Sequence, residues 1–145
     1  MDYCVFIQTN HKQITGAMVA HHALRRYSTH NDKFDVQIID SRDYPFFAAH
    51  EGREYLRDGV KRVWLNDDLQ SFTPTRFMPP KLMGHEGRAV VIDPDIFAVG
   101  DINDLFARDM GSAAVMGRKR SDKPGKEWQI ATSVMLMDCA RLKHW

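Results

Sequence analysis

The sequence predicts an α/β domain with a mainly parallel central sheet flanked by helices. Two observations carry that reading. Apolar runs rich in strand formers alternate with helical segments in the order β-α-β-α-β over residues 3–65, which argues for a sheet with helices on its faces. A further run, Ala89-Val-Val-Ile92, is apolar throughout, as strands buried on both faces are.

In chain order, Tyr3-Cys-Val-Phe-Ile-Gln-Thr9 reads as a buried strand, and Asn10-His-Lys-Gln13 as a polar break. From Ile14 to Tyr27, apolar residues at 14, 17, 18, 20, 24 and 27 form a helical stripe. Gly16 falls in its first turn, where another backbone could approach closely. Phe34–Ile39 reads as a second strand, Phe46–Arg57 as a helical segment ending at Gly59, and Val60–Leu65 as a third strand. Ser71–Met83 is irregular and punctuated by prolines, with a short helix over Pro79–Met83. The strand Arg88–Ile92 is followed by Asp93-Pro-Asp95, a short apolar segment Ile96–Val99, and Gly100. Asp101 has N-cap chemistry, with Asp104 at N3 and Leu105-Phe106 on the buried side of a short helix. Ser112–Met116 reads as a strand, Gly117–Gln129 as a basic loop, and Ile130–Met137 as a strand. Asp138 is placed to cap a helix carrying Leu142 and Trp145. Residues 1–145 are expected to form one domain, incomplete at its C-terminus because the chain stops as that helix begins.

Composition excludes several classes. Eight Phe, three Trp and four Tyr are too much aromatic mass for a disordered chain. Lys and Arg number 20 against 19 Asp and Glu, so no global field draws nucleic acid or an anionic membrane, and any anion site must be local. Cys4 and Cys139 lie in apolar runs near opposite ends and read as reduced core residues, which favours a cytoplasmic chain. Residues 1–9 have no basic n-region of a signal peptide, and no run reaches the ~20 apolar residues of a membrane span.

The most informative segment is Val90-Val-Ile-Asp-Pro-Asp95. In extended backbone, residues i and i+2 point to one face, and Pro94 holds Asp93 extended. Two carboxylates together at a strand end repel, so one pKa rises unless a cation neutralises them. A hard divalent ion suits them, since such ions take one or two carboxylates plus substrate phosphates. Strand ends are also where open α/β sheets bind ligands. A turn chosen for Asp-Pro-Asp chemistry alone would explain the dipeptide, but not the buried strand before it together with the apolar return and capped helix after it.

Residues 88–106, Arg-Ala-Val-Val-Ile-Asp-Pro-Asp-Ile-Phe-Ala-Val-Gly-Asp-Ile-Asn-Asp-Leu-Phe, resemble the DxD segment of glycosyltransferase family 8 and related GT-A enzymes. Ser133-Val-Met-Leu-Met-Asp138 resembles a later strand of that family, and Tyr3–Leu24 its first strand and helix. The resemblance implies a GT-A, Rossmann-like nucleotide-diphospho-sugar transferase fold. It implies a retaining, hexosyltransferase-type glycosyltransferase using a nucleotide-diphosphate donor, UDP-linked, with Mn²⁺ or Mg²⁺. Asp93 and Asp95 would hold the metal, with Asp93 also reaching the donor's ribose or sugar. Gln8, Thr9 and Asn10 would face the nucleoside, with His11 in the same loop. Arg76 would contact donor phosphate or sugar, suited by its fixed fork of donors. Thr132 and Ser133 would contact sugar or acceptor. The acceptor, whether carbohydrate, lipid-linked group or protein, is left open. The chain departs from the family where the loop reads Asn10-His11-Lys12-Gln13 in place of Asp and Tyr. It departs again where Ala131-Thr132-Ser133-Val134 replaces an Asn-Ala-Gly-Val segment, and no segment matches the family's C-terminal metal-ligating His.

The basic stretch Arg118–Lys126 carries five positive charges against Asp122 and Glu127. It would cover the donor diphosphate, meet an anionic acceptor, or be a solvated loop. Two other functions compete. A nucleotidyltransferase would want a glycine-rich basic signature after the first strand, which Thr9–Gly16 does not supply. A non-catalytic sugar-nucleotide-binding or structural module fits the altered Asn position and the unmatched His.

Overall fold

The structure, a computed structural model, describes residues 2–120 and 129–145. Strands β1 (Tyr3–Thr9), β2 (Asp35–Asp40), β5 (Arg88–Ile92), β6 (Val115–Lys119) and β7 (Ile130–Asp138) form one sheet in the order β2-β1-β5-β7-β6. β1 pairs in parallel with β2 and β5, while β7 runs antiparallel to both of its neighbours. A mainly parallel sheet is therefore present, with one reversed strand near its edge. Helices α1 (Ile14–Tyr27), α2 (Pro45–His50), α3 (Pro79–Leu82) and α4 (Ile102–Phe106) connect the strands.

Period-two alternation along the strands builds two cores, one on each face. Val5, Ile7, Val90, Ile92 and Leu136 pack with Ala17, Ala20 and Leu24 of α1 and with Ile102 and Phe106 of α4. Cys4, Phe6, Ala89, Val91, Met135 and Met137 pack on the other face with Cys139 and Leu142. Both cysteines are fully buried free thiols. Burial pushes the Cys4 thiol up to about 12 and the Cys139 thiol up to about 11. A thiolate-selective disulfide reagent should therefore leave both unmodified in the folded chain and titrate both in guanidinium. Stoichiometric labelling of either one without denaturant would contradict this core.

Gly16 does what its place in the first helical turn suggested. A Cβ there would lie 2.7 Å from the Pro94 carbonyl oxygen, so α1 sits directly against the Asp-Pro-Asp turn. Asp101 caps α4, accepting from the Asn103 backbone N–H at 2.9 Å and from the Thr29 N–H at 3.0 Å.

The segment between β2 and β5 differs from the sequence reading. The helix expected over Phe46–Arg57 stops at His50, and Gly52 at φ 76° turns the chain out of it. Strands β3 (Glu54–Arg57) and β4 (Val60–Val63) then form an antiparallel hairpin around Asp58 (φ 53°) and Gly59 (φ 75°). Val60–Leu65 is thus the return arm of a separate two-stranded sheet, not the third strand of the main one. The strand expected at Ser112–Met116 lies three residues later, because Gly117, Arg118 and Lys119 pair with β7. The remainder of the basic loop, residues 121–128, lies outside the described residues. Cys139–Arg141 is a single 3-10 turn without a side-chain cap from Asp138. No helix among the described residues is long and apolar enough to cross a membrane.

Candidate functional site

The site grows from the ends of β1 and β5. Ile92 pairs with Ile7 on one side and with Val134 on the other. That register brings the next residues, Gln8 and Asp93, together: Gln8 Nε2 donates to Asp93 Oδ1. Gln8 Oε1 in turn lies 3.2 Å from the Thr75 hydroxyl. Arg76, in the 3-10 turn Thr73–Phe77, approaches the same carboxylate. Its Nη2 is 3.4 Å from Asp93 Oδ1, and its Nη1 donates to Thr132 Oγ1. Arg76 Nε is buried with no partner among the described residues.

Asp93 and Arg76 are withdrawn from water, with side chains 23% and 13% exposed. Burial pushes the Asp93 carboxyl above its ordinary value; the Arg76 charge and the Gln8 hydrogen bond pull it down, and Asp95 adds the smallest push up. The spacing of the two aspartates attributed such a rise to charge repulsion. The larger cause is lost hydration.

The Asp93 N–H donates to Ser133 O at 3.0 Å, and the Ile96 N–H donates back to Asp93 O at 3.1 Å. The strand end is thus docked on β7 and then turned. Asp95, past the buried Pro94, is exposed and has no hydrogen-bond or ion-pair partner among the described residues. Asp93, Asp95, Arg76, Thr132 and Ser133 line one cavity of about 680 Å³, within the size range of small-molecule sites. Thr132 and Ser133 reach it because β7 bulges away from β6: Gly117 pairs with Met135, and the next residue, Arg118, with Ala131. Gly117 makes room for the bulge, since a Cβ there would run into the Ile130 side chain.

The end of β1 and the loop after it are bonded internally. Gln8, Thr9 and Asn10 are fully buried. Thr9 Oγ1 donates to Asn10 O at 3.1 Å. Asn10 Nδ2 donates to Asp68 O and Ser71 Oγ, both at 3.0 Å, and Asn10 Oδ1 accepts from the Lys12 N–H at 3.1 Å. His11 and Lys12 hold Asp67 at 3.0 and 2.8 Å. These bonds fasten the loop to residues 66–71. Of residues 8–13, Gln13 is the one that lines the cavity.

Sequence reasoning missed the hairpin side of the site. Tyr55, Arg57 and Trp64 line the cavity, yet Tyr55 and Arg57 fall in a stretch that reads as helix and Trp64 in one that reads as a strand of the main sheet. A signal was present: Asp58-Gly59 between two four-residue runs is a strong hairpin marker. Thr75 carried no such signal, because its bond to Gln8 spans 67 residues.

The donor set bears on metal binding. Two carboxylates at one strand end, one partly desolvated and one free, suit a hard divalent cation that completes its shell with water and phosphate oxygens. Among the described residues, no three His, Cys, Asp or Glu side chains converge to hold a metal unaided.

No known protein family's sequence pattern matches the chain, and no curated protein matches it in sequence. Solved structures do match in fold. The glycosyltransferase GlyE of Streptococcus pneumoniae TIGR4 is similar at a TM-score of 0.62 and 19% identity, over 97% of this chain and 35% of that one. The galactosyltransferase LgtC, solved with donor and acceptor sugar analogues, is similar at 0.66 and 14% identity, over 99% and 60%. Mouse xyloside xylosyltransferase 1 is similar at 0.56 and 14% identity, over 94% and 67%. The chain spans about a third of GlyE and three fifths of LgtC. At these identities the likeness establishes the fold: the chain has the architecture of GT-A glycosyltransferases.

Proposed function

We propose that this chain is the donor-binding domain of a retaining, hexosyltransferase-type glycosyltransferase, taking a UDP-linked sugar with Mn²⁺ or Mg²⁺. One observation carries the reading. In a GT-A fold, Asp93 is held at the strand end by Gln8 and Arg76 while Asp95 stands unpaired over a cavity of about 680 Å³. The sugar-transferring neighbours support it, as does the resemblance of residues 88–106 to the DxD segment of glycosyltransferase family 8.

When bound, the cation would neutralise charge on the diphosphate leaving group as a Lewis acid. Asp95 would be the direct ligand and Asp93 the second, kept in one rotamer by Gln8. Arg76 puts a fixed positive charge beside the donor and orients Thr132, preorganised before substrate arrives. Thr132 and Ser133 would meet the sugar or the acceptor on the β7 bulge. Gln8, Thr9 and Asn10 would shape the nucleoside-facing loop through its backbone, since their side chains are already bonded internally. A second reading, a sugar-nucleotide-binding module without turnover, is favoured by the lack of a third convergent ligand among the described residues.

Calorimetric titration tests the donor site. UDP should bind in the presence of Mn²⁺, and binding should disappear with EDTA or with Asp95→Ala. Equal binding in all three samples would remove the metal-dependent donor reading. Release of sugar from a UDP-sugar by the protein would separate the enzyme from the binding module.

A further inference from the structure

We propose that the second substrate entering this cavity is an anion, a phosphate- or carboxylate-bearing acceptor held by Arg57, Arg118 and Arg120. The inference rests on the donor-site reading and adds the chemistry of the acceptor.

The cavity lining concentrates positive charge in a chain that is otherwise balanced. Among the described residues, Arg57, Arg76, Arg118 and Arg120 line it together with Asp68, Asp93 and Asp95, four cations against three anions. Arg76 is committed to Asp93 and Thr132. The other three arginines have no ion-pair partner among the described residues. A divalent cation and a donor diphosphate cancel each other's charge, so the excess positive charge of the lining persists after the donor binds. It then acts on whatever comes next.

Local geometry directs these side chains to the cavity. Arg118 and Arg120 are two residues apart in extended chain, so they share a face. The ladder continues past β6, with the Arg120 N–H donating to Gln129 O at 2.7 Å. The bulge that exposes Thr132 and Ser133 also sets Arg118 opposite Ala131, beside them. Arg57 comes from a different element, at the tip of the hairpin just before its Asp58-Gly59 turn. Guanidinium groups arriving from two elements are suited to clasping one oxyanion with paired N–H donors. The alternative use of the same arginines is to hold the donor's own diphosphate, and the experiment separates the two.

Glycerol 3-phosphate and glucuronate are titrated into the whole chain, with and without saturating UDP and Mn²⁺, beside glycerol and glucose as neutral controls. The variants are Arg57→Gln and the double variant Arg118→Gln/Arg120→Gln, all at exposed positions, with melting curves to confirm folding. The expected result is saturable binding of an anion and not of its neutral control, weakened roughly tenfold or more in the variants. UDP affinity should stay within about threefold of the parent, and Arg118→Lys/Arg120→Lys should recover part of the loss. The ratio of the two anions identifies phosphate or carboxylate as the preferred group. Three outcomes overturn the inference: equal loss of UDP and anion binding, which gives the arginines to the donor; anion binding unchanged in the variants; or neutral controls binding as well as the anions. If Asp95→Ala leaves UDP binding intact, the donor reading fails by itself. The titrations without UDP then still decide whether these arginines form an anion site.

Discussion

Replacing Asp93 with Asn is expected to weaken metal-dependent UDP binding by roughly 30-fold or more, while leaving the chain at least as stable as its parent at neutral pH. Asn keeps an oxygen to accept from Gln8 and Arg76 but removes the charge that a cation needs. The stability half follows from the direction of the Asp93 shift, which is upward through burial. With the folded pKa above the unfolded value, the stability linked to this group is present below about pH 4, the ordinary carboxylate range. It is lost as pH rises through the folded pKa. At neutral pH the ionised side chain is a net cost to folding, which Asn relieves. Melting temperatures should favour the variant at neutral pH and converge with the parent below about pH 4. A variant that melts well below the parent at neutral pH would mean that the ion pair with Arg76 outweighs lost hydration. A variant that still binds UDP with Mn²⁺ at parental affinity would remove Asp93 from the metal site.

Gly16→Ala is expected to be destabilising, although alanine is the better helix former by about 1 kcal/mol. The new methyl would stand 2.7 Å from the Pro94 carbonyl oxygen and 3.4 Å from its carbon. Backbone cannot swing aside as a side chain can, and overpacking of this kind typically costs about 1–3 kcal/mol. Relief would come through displacement of Asp93-Pro94-Asp95, so UDP binding should fall along with stability. Gly100→Ala is the matched control, since nothing lies within 4 Å of its added Cβ, and it should change neither property. Denaturant melts and calorimetry on the two variants decide the matter; a Gly16→Ala chain as stable as its parent would show that the turn yields at no cost.

The two variants probe what the sequence made legible. Asp93, Pro94, Asp95 and Gly16 belong to short local patterns, and local patterns survive without knowledge of the fold. Tyr3–Thr9, Ile14–Tyr27 and Arg88–Ile92 were readable for the same reason, each being a long apolar run or stripe whose period declares its type. The partners that hold Asp93 were not readable in those terms, because Gln8 lies 85 residues away and Thr132 meets Arg76 across 56. Strand direction was also hidden, since Ile130–Asp138 is as apolar antiparallel as it would be parallel. The Arg118–Lys119 end of β6 read as loop because an edge strand with one neighbour carries charge, which also guards it against stray pairing. The hairpin is local too, and its signature is the Asp58-Gly59 turn between two four-residue strands.

The interior position of β1, between β2 and β5, has a consequence for how the chain is made. Its partner β2 is complete by residue 40, but the strand on its other side, β5, begins only at residue 88. Translation proceeds at roughly 5–20 residues per second, so the ribosome needs several seconds to supply the missing neighbour. Throughout that interval the nascent chain carries Val5, Phe6 and Ile7 with one row of backbone donors and acceptors open. A strand whose residues from Cys4 to Thr9 end fully buried is, during synthesis, exposed apolar backbone open to a chaperone.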